Sequence, residues 1–342
     1  MGYTSDENQG PPAGKLASEN TAEKTTHAAA DSGEIGSETR TSVIAAVIGN
    51  LLIAAIKFVA AFFTGSSAML SEGIHSMVDT GNGGLIFYGM YKSKKPPDRK
   101  HPFGHGRELY FWTLIVALSI FAVGGGVSIY EGILHLINPV KIENPVWNYS
   151  VLGVSAIFES ISWYFGWKAF RKERRGKTVL QAIRDSKDPT SFTVMLEDST
   201  ALAGLVIAFF GVLLGHQFNM PLFDGGASIL IGLLLCTVAL LLGYETKSLI
   251  IGESLEKEKL DDIRQIIKAE PNIKEVLEMR TIYTAPTNVF LGLELEFSGN
   301  ITNDELLRTL YRLERAVRKK YPEITKVFYE AASLSGDELS ES

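Results

Sequence analysis

Six long apolar stretches are the feature that most constrains the fold of this chain. Each approaches or exceeds the roughly 20 residues that an α-helix needs to cross the hydrocarbon core of a bilayer. Because a helix satisfies its own backbone hydrogen bonds in lipid, we predict a domain of six transmembrane helices. The predicted spans are 43–63, 68–91, 109–137, 146–167, 192–214 and 222–243.

Lysine and arginine are unevenly distributed among the loops that join these spans. The loops at 92–100 and 171–177 are densely basic, whereas the connections after spans one, three and five have almost no Lys or Arg apart from Lys141. Basic loops are retained on the cytosolic side of a membrane. With an even number of crossings, this pattern predicts a multi-pass membrane protein with both termini cytosolic, and it assigns no particular membrane.

The segments outside the spans differ in composition from them. Residues 1–40 are rich in Ser, Thr, Gly, Glu and Asp without apolar periodicity, so we predict a disordered tail. Its acidity and few arginines argue against a mitochondrial presequence. The acidic end at 333–342 is also expected to be disordered. The predicted domains between the tails are a membrane domain at 41–250 and a soluble domain at 251–332.

The soluble domain shows helical and strand periodicity in turn. Apolar residues first repeat at helical spacing, and the segments 274–283 and 288–297 then alternate as strands do. Thr302 and Glu305 form a possible capping box at the start of a second helix. A third strand is expected near 324–329. The order α-β-β-α-β predicts a small cytosolic α+β domain of ferredoxin-like type, with helices covering one face of the sheet.

The second span contains ionisable residues, which are costly at bilayer depth and by default mark a pathway or a binding site. His75 and Asp79 are four residues apart and therefore share one helical face, which Glu72 and Asn82 extend. An imidazole beside a carboxylate suits a borderline cation such as Zn²⁺ better than Mg²⁺ or Ca²⁺. The alternative is a structural role, in which these side chains hydrogen-bond neighbouring helices.

The fifth span contributes a second acidic pair, Glu197 and Asp198. Adjacent residues on a helix point about 100° apart, so the two cannot face one ion equally well. We expect Asp198 to be the ligand and Glu197 to be a neighbouring or proton-handling group. Glu72 is expected near a mouth of the pathway, and Lys57 in the first span is expected to extend its ammonium group towards an interface.

Another group of possible ligands lies in the first basic loop. Asp98, His101 and His105 fall within eight residues. Pro102 and Gly104 permit a turn that brings the three side chains onto one cation. Short loops with histidines also occur without a metal, so the pattern alone leaves both interpretations open.

Several motifs occur together with this architecture. They are SAMLSEGIHSMVD at 67–79, HPFGHG at 101–106, SIYEG at 128–132 and EDS at 197–199. Over about 41–332 the sequence resembles the cation diffusion facilitator family of divalent-metal/proton antiporters, typified by zinc transporters. The resemblance implies a homodimer in the lipid bilayer, with an ion site in the middle of each protomer built by spans two and five. It implies a secondary active transporter rather than an enzyme, and we expect no nucleic-acid partner.

The resemblance also implies a set of ligands. In zinc-transporting members each of the two helices supplies a His or Asp four residues before an Asp. His75 and Asp79 fit this pattern and Asp198 fits its second half, whereas Val194 stands at the position of the fourth ligand. The implied set is therefore three ligands, His75, Asp79 and Asp198, unless Glu197, a water or a backbone carbonyl supplies a fourth.

The resemblance extends to the loop and to the cytosolic domain. Asp98, His101 and His105 match the spacing of a site that binds a further zinc in some members. The family's cytosolic domain often holds a zinc pair through histidines, but no histidine follows His216 in this sequence. We therefore expect that domain to serve dimerisation.

The expected function is export of Zn²⁺ from the cytosol by alternating access, with protons as the counter-ion. Only a neutral imidazole coordinates a metal, so binding displaces a proton from His75, and protonation on the far side releases the ion. One alternative is a Mn²⁺ or Fe²⁺ transporter of the same family, because Glu197 favours a harder ion. Another is a membrane metal sensor or scaffold that does not transport, because Val194 leaves the site incomplete.

Overall fold

The structure is a computed structural model, and it describes residues 50–140, 145–174, 176–298 and 301–331. The tails predicted at 1–40 and 333–342 lie outside these residues, as does the predicted start of the first span. The boundaries of the predicted domains therefore stay predictions.

A helix lies at each of the six predicted apolar stretches, and a short helix precedes the fifth. A π-helical segment (Ile120–Gly126) joins the helices Glu108–Ser119 and Val127–Ile137, so that these form one continuous helix. The helices of this region are α1 (Asn50–Thr64), α2 (Ser67–Ser93), α3 (Glu108–Ser119), α4 (Val127–Ile137), α5 (Pro145–Arg174), α6 (Val179–Asp185), α7 (Pro189–Phe218) and α8 (Leu222–Ile251).

Three of the described helices are long and apolar enough to cross a membrane, judged by length and composition. They are Glu108–Ile137, Pro189–Phe218 and Leu222–Ile251. Helices α2 and α5 are 27 and 30 residues long, but serine, asparagine and ionisable side chains interrupt their apolar character. The prediction of transmembrane helices is therefore confirmed in part, and the number of six crossings stays a prediction.

Helices α2 and α7 occupy inner positions in the helical domain. Helix α2 packs against α3, α4, α7 and α8, and α7 packs against α2, α5 and α8. Spans two and five, which are expected to build the ion site, are therefore in direct contact with each other. The apolar core between the helices includes Met69, Val116, Phe192, Leu205, Ile231, Leu235 and Leu242.

A buried carboxylate from the start of α8 holds the N-terminus of α2. Asp224 is 1% exposed and accepts hydrogen bonds from the Ser66 hydroxyl and the Ser67 amide, both at 2.6 Å. Ser66 in turn caps α2 by accepting from the Met69 amide. A negative charge is favoured at a helix N-terminus because the first amides lack helical partners and the dipole is positive there. Asp224 therefore fixes the position of α2 along α8.

We expect Asp224→Ala to destabilise the helical domain. The change leaves the Ser67 amide and two serine hydroxyls buried without their acceptor, at a cost of about 2–4 kcal/mol. Thermal unfolding of the detergent-solubilised protein measures the loss as a lower transition temperature. The control is Asp261→Ala, which removes an exposed aspartate of the soluble domain. Equal transition temperatures for the two variants would contradict the anchoring role.

The C-terminal part of the chain is a small α/β domain with a three-stranded sheet. Its strands lie in the order β1-β2-β3; β2 pairs antiparallel with β1 and parallel with β3. The predicted order of two helices and three strands is present, and the ferredoxin-like assignment stays a prediction. The elements are α9 (Lys257–Lys268), β1 (Ile273–Ala285), β2 (Asn288–Phe297), α10 (Asn303–Lys320) and β3 (Ile324–Ala331).

Helices α9 and α10 cover one face of this sheet. Alternate side chains of β2 are buried against them, as the strict alternation of its sequence predicts. The capping box of α10 is confirmed, since the Thr302 side chain accepts from the Glu305 amide and the Glu305 carboxylate accepts from the Thr302 amide. The shared core includes Ile263, Ile267, Val289, Leu291, Leu293, Leu295, Leu313 and Val317.

Candidate metal centre

The polar stripe of α2 carries the predicted ligands His75 and Asp79. His75 is 1% exposed, and its Nδ1 lies 3.3 Å from Asp79 Oδ1. This contact lacks hydrogen-bond geometry: both ring nitrogens of His75 and Oδ1 of Asp79 are buried without a hydrogen-bond partner among the described residues. Buried polar atoms are nearly always paired, and exceptions point to a missing water, ion or ligand. These atoms therefore fit ligands of a bound cation.

The two acids of α7 face different neighbours. Glu197 is 8% exposed and accepts a hydrogen bond from Asn82 Nδ2 of α2 at 2.9 Å. Asp198 accepts from Ser162 Oγ of α5 at 3.0 Å. The divergence follows from the rotation of about 100° per residue along a helix. The structure thus places Glu197 in direct contact with α2 and Asp198 in direct contact with α5.

The predicted ligands inside the helical domain do not form a tight group. Within the part of the chain that the structure describes, the one set of three or more possible ligands whose atoms all lie within 4.8 Å of one another is in the loop at 98–105. His75 and Asp79 form a pair on α2, while Glu197 and Asp198 diverge on α7. Their assignment to one ion therefore stays a prediction, and a cation held by both helices requires the side chains or α7 to move.

Val194, at the expected position of a fourth ligand, lies on the same side of α7 as Asp198. Val194 is 40% exposed, so a metal-binding side chain at this position would be partly open to the surroundings of the helical domain. A Cβ atom added to Gly166 of α5 would lie 3.3 Å from Asp198 Oδ2 and 3.8 Å from Val194 Cγ1. A ligand introduced at position 194 would therefore assist Asp198 rather than Glu197.

Lys57 is buried, which shows that the expectation of an ammonium group reaching an interface is wrong. Its side chain is 0% exposed, and Nζ donates to Ser76 Oγ at 2.8 Å and to Glu72 Oε2 at 3.1 Å. Glu159 Oε1 of α5 lies 3.8 Å from the same nitrogen. Because these acceptors replace water, the lysine is stabilised inside the bundle. The position of Glu72 at a mouth is also wrong, since Glu72 is fully buried.

Several polar residues near these ligands carry no recognisable signal in the sequence. Ser162 is a neighbour of the site only because α5 packs on α7. Thr193 is buried one turn before Glu197, and its hydroxyl has no hydrogen-bond partner among the described residues. Serine and threonine are common inside apolar helices, so only the packing singles them out.

The loop at 98–105 draws its three predicted ligands together. Asp98 Oδ1 accepts from the amides of Lys100 at 2.8 Å and His101 at 2.7 Å, and Oδ2 lies 3.2 Å from His105 Nε2. The two imidazole centroids are 4.4 Å apart. Gly104, with φ of +88°, supplies the left-handed turn between the histidines. Three ligands in this arrangement suit a tetrahedral cation with a fourth position open.

Hydrogen bonds keep Asp98 in its carboxylate form. The backbone amide of His101 is the main cause that lowers the pKa of Asp98 below its ordinary value, and partial burial opposes it. The Lys100 amide and the His105 side chain lower this pKa further. Because a ligand must be deprotonated to bind a metal, the Asp98 carboxylate is available for coordination at neutral pH.

The same loop contacts the sheet of the C-terminal domain. Phe103 lies between the two histidines in the sequence. Its ring centroid is 5.0 Å from that of Phe290 and 6.4 Å from that of Phe328. Phe290 belongs to β2 and Phe328 to β3. A cation in the loop would therefore lie at the junction between the helical domain and the sheet.

We expect His105→Ala to remove one bound zinc per protomer from the purified protein. The variant loses one of the three ligands and the imidazole that faces Asp98, which weakens the loop site by a factor of roughly 10–100. Zinc content after equilibration with a competing chelator is the measurement. The matched control is His216→Ala, which removes an exposed histidine at the end of α7. Unchanged zinc content in His105→Ala would rule out this loop as a metal site.

The structure combines apolar helices long enough to span a bilayer with an α/β domain that follows them. Buried side chains of types that can bind a metal lie on two of the helices, a combination that suits membrane proteins that handle cations. Two family models match the chain: "Cation efflux transmembrane domain" over residues 43–251 and "Cation efflux protein, cytoplasmic domain" over 255–329. The chain belongs to the cation efflux family, also called the cation diffusion facilitators, which confirms the resemblance in its sequence.

Curated relatives include the "Proton-coupled zinc antiporter SLC30A9, mitochondrial" of Mus musculus, 30% identical over 78% of this chain and 47% of its own length. "Metal tolerance protein C4" of Arabidopsis thaliana is 28% identical over 86% of this chain and 63% of its own length. "Cation-efflux pump FieF" of Citrobacter koseri is 27% identical over 83% and 89%. The chain thus spans about half the length of the SLC30A9 relatives. These relatives are named as an antiporter, a metal tolerance protein and an efflux pump, which agrees with the prediction of a transporter.

Proposed function

We propose that this protein exports a divalent cation, Zn²⁺ in the first place, from the cytosol in exchange for protons. The observation that carries the proposal is the set of unpartnered buried atoms on His75 and Asp79, inside a helix at the centre of the helical domain. Membership of the cation efflux family supports transport, and the name of the mouse relative, a proton-coupled zinc antiporter, supports zinc and proton coupling.

The chemistry of these residues accounts for the exchange. A neutral His75 imidazole offers a nitrogen to the cation, whereas a protonated imidazole cannot bind it. Asp79 supplies an oxygen from the same helical face, and Asp198 or Glu197 supplies one from α7. When the site opens to the far side, protonation of His75 and a carboxylate lowers the affinity and the cation leaves. When the protonated site turns back towards the cytosol, it carries protons, the counter-ion, inward.

The proposed architecture is a homodimer with six spans per protomer and both termini on the cytosolic side. The match to the cytoplasmic-domain model ZT_dimer supports dimerisation through the C-terminal domain. The basic loops at 92–100 and 171–177 support its cytosolic placement. On this orientation the Asp98, His101 and His105 cluster faces the compartment from which the cation is taken.

We expect His75→Ala and Asp79→Ala to abolish zinc uptake by proteoliposomes that maintain an opposing pH gradient. Each variant removes a ligand, and loss of one ligand typically weakens a metal site by at least tenfold. His216→Ala, which removes an exposed histidine from α7, serves as the control and should transport as the parent does. Transport at the parental rate by either ligand variant would show that the cation passes elsewhere.

A second candidate is transport of Mn²⁺ or Fe²⁺ by the same site. It is favoured by the oxygen donors of α7, which are Glu197, Asp198 and the Thr193 hydroxyl, because harder ions prefer oxygen. Uptake competition among the three metals separates the candidates. Metal binding without flux in the same vesicles would instead support the sensor or scaffold alternative.

Val194→His tests whether the lack of a nitrogen ligand at position 194 limits the selectivity of the site for zinc over manganese. The new imidazole lies four residues before Asp198 on the same helical side, so it adds a donor of the kind that Zn²⁺ prefers. We expect the ratio of zinc affinity to manganese affinity to rise by roughly tenfold or more. Val206→His, on an exposed position of the same helix, is the control. An equal ratio in both variants would place position 194 outside the site.

A further inference from the structure

We propose that Lys57 determines ion selectivity by acting as a fixed cation that keeps Glu72 and Glu159 from coordinating the transported ion. The inference rests on the proposed function, because it concerns the ion bound at His75 and Asp79. The charge network of α1, α2 and α5 has no part in the transport chemistry proposed for His75 and Asp79, and this proposal gives it one.

The network joins three helices, and it is buried except for Glu159, whose side chain is 15% exposed. Lys57 of α1 is 0% exposed, donates to Glu72 and Ser76 of α2, and lies 3.8 Å from Glu159 Oε1 of α5. Only one Glu72 oxygen is used, since Oε1 has no hydrogen-bond partner among the described residues. This free oxygen is directed at Gly204 of α7, where the Cβ of any other residue would collide with it.

Both ends of the network adjoin the proposed ligands. On α2, Ser76 follows His75 in the sequence, and Glu72 lies one turn before His75 on the same face. On α5, Glu159 lies one turn before Ser162, and the Ser162 hydroxyl donates to Asp198. Lys57 therefore stands between Glu72, which lies one helical turn from His75, and Glu159, which lies one turn from the serine that donates to Asp198.

Stability alone gives a weak reason for such a pair. Replacing a buried ion pair by apolar residues is often neutral or stabilising, because desolvation of the two charges offsets their attraction. Selectivity gives a stronger reason. Two more carboxylates beside the site would make it rich in oxygen, which suits Mn²⁺. The Lys57 ammonium group instead forms an ion pair with Glu72 and repels a cation that approaches from that side.

The test is competition between Zn²⁺ and Mn²⁺ for the purified full-length protein, with Lys57→Met compared to the parent. Loss of the ammonium group releases the two carboxylates, so we expect the affinity ratio of zinc to manganese to fall by roughly tenfold. Lys57→Gln, which keeps a hydrogen-bond donor and removes the charge, is measured in parallel because it disturbs the packing less. Either variant shows the fall if the charge of Lys57 sets the ratio.

Three controls separate this role from a structural one. Lys57→Arg keeps the charge and should keep the parental ratio. Lys57→Met combined with Glu72→Gln removes the main released carboxylate and should return the ratio to within about threefold of the parent. Lys168→Met removes an exposed lysine of α5 and should change nothing. A purely structural lysine would lower the yield of folded protein without moving the ratio.

The ratio also separates failure of this inference from failure of the proposed function. If the parent transports zinc but Lys57→Met and Lys57→Gln keep its ratio, the inference is overturned and the transporter stands. If the parent neither binds nor transports either metal through His75, the proposed function is overturned and the inference with it. A fall in the ratio that the double variant reverses supports both.

Discussion

The arrangement of the helical domain depends on finding partners for polar side chains that lie deep in apolar helices. Asp224 of α8 accepts a hydrogen bond from the Ser67 amide at the N-terminus of α2, and Lys57 of α1 donates one to Glu72 of α2. Asn82 of α2 donates to Glu197 of α7. Each contact joins two helices, and each would be costly to leave unmade in a low-dielectric interior. The packing of α2 is therefore specified by polar contacts as much as by apolar ones.

Against this pattern, His75 stands out because both of its ring nitrogens lack a hydrogen-bond partner among the described residues. Elsewhere on α2 the Ser71 hydroxyl meets that of Ser228, and Ser76 accepts from Lys57. The buried side-chain atoms of α2 that have no partner among the described residues lie on Glu72, His75 and Asp79. They share one face of the helix with the imidazole, whose chemistry suits a borderline metal.

The sequence predicted those features that local periodicity controls. Apolar runs placed the long helices, alternation placed β2, and Thr302 with Glu305 placed the start of α10. It failed for Lys57 because the choice between an interface and a buried partner depends on Glu72 and Glu159, which lie 15 and about 100 residues further along the chain. The directions of Glu197 and Asp198 depend in the same way on how α7 is rotated between α2 and α5, which periodicity alone leaves open.

The same contacts bear on how the helices can move under the proposed function. Lys57 ties α1, α2 and α5 together through charged groups, whereas the described side-chain contacts of α7 near the site are single hydrogen bonds from Asn82, Ser162 and Trp163. Hydrogen bonds from neutral donors exchange more cheaply than a buried ion pair, so the polar contacts of α7 oppose its movement less than Lys57 opposes movement of α1 and α2. Because Glu197 and Asp198 diverge on α7, its rotation would bring one carboxylate towards His75 as it withdraws the other. Under the proposed function, alternating access would then proceed by movement of α7 against α1, α2 and α5, which Lys57 links through its charge.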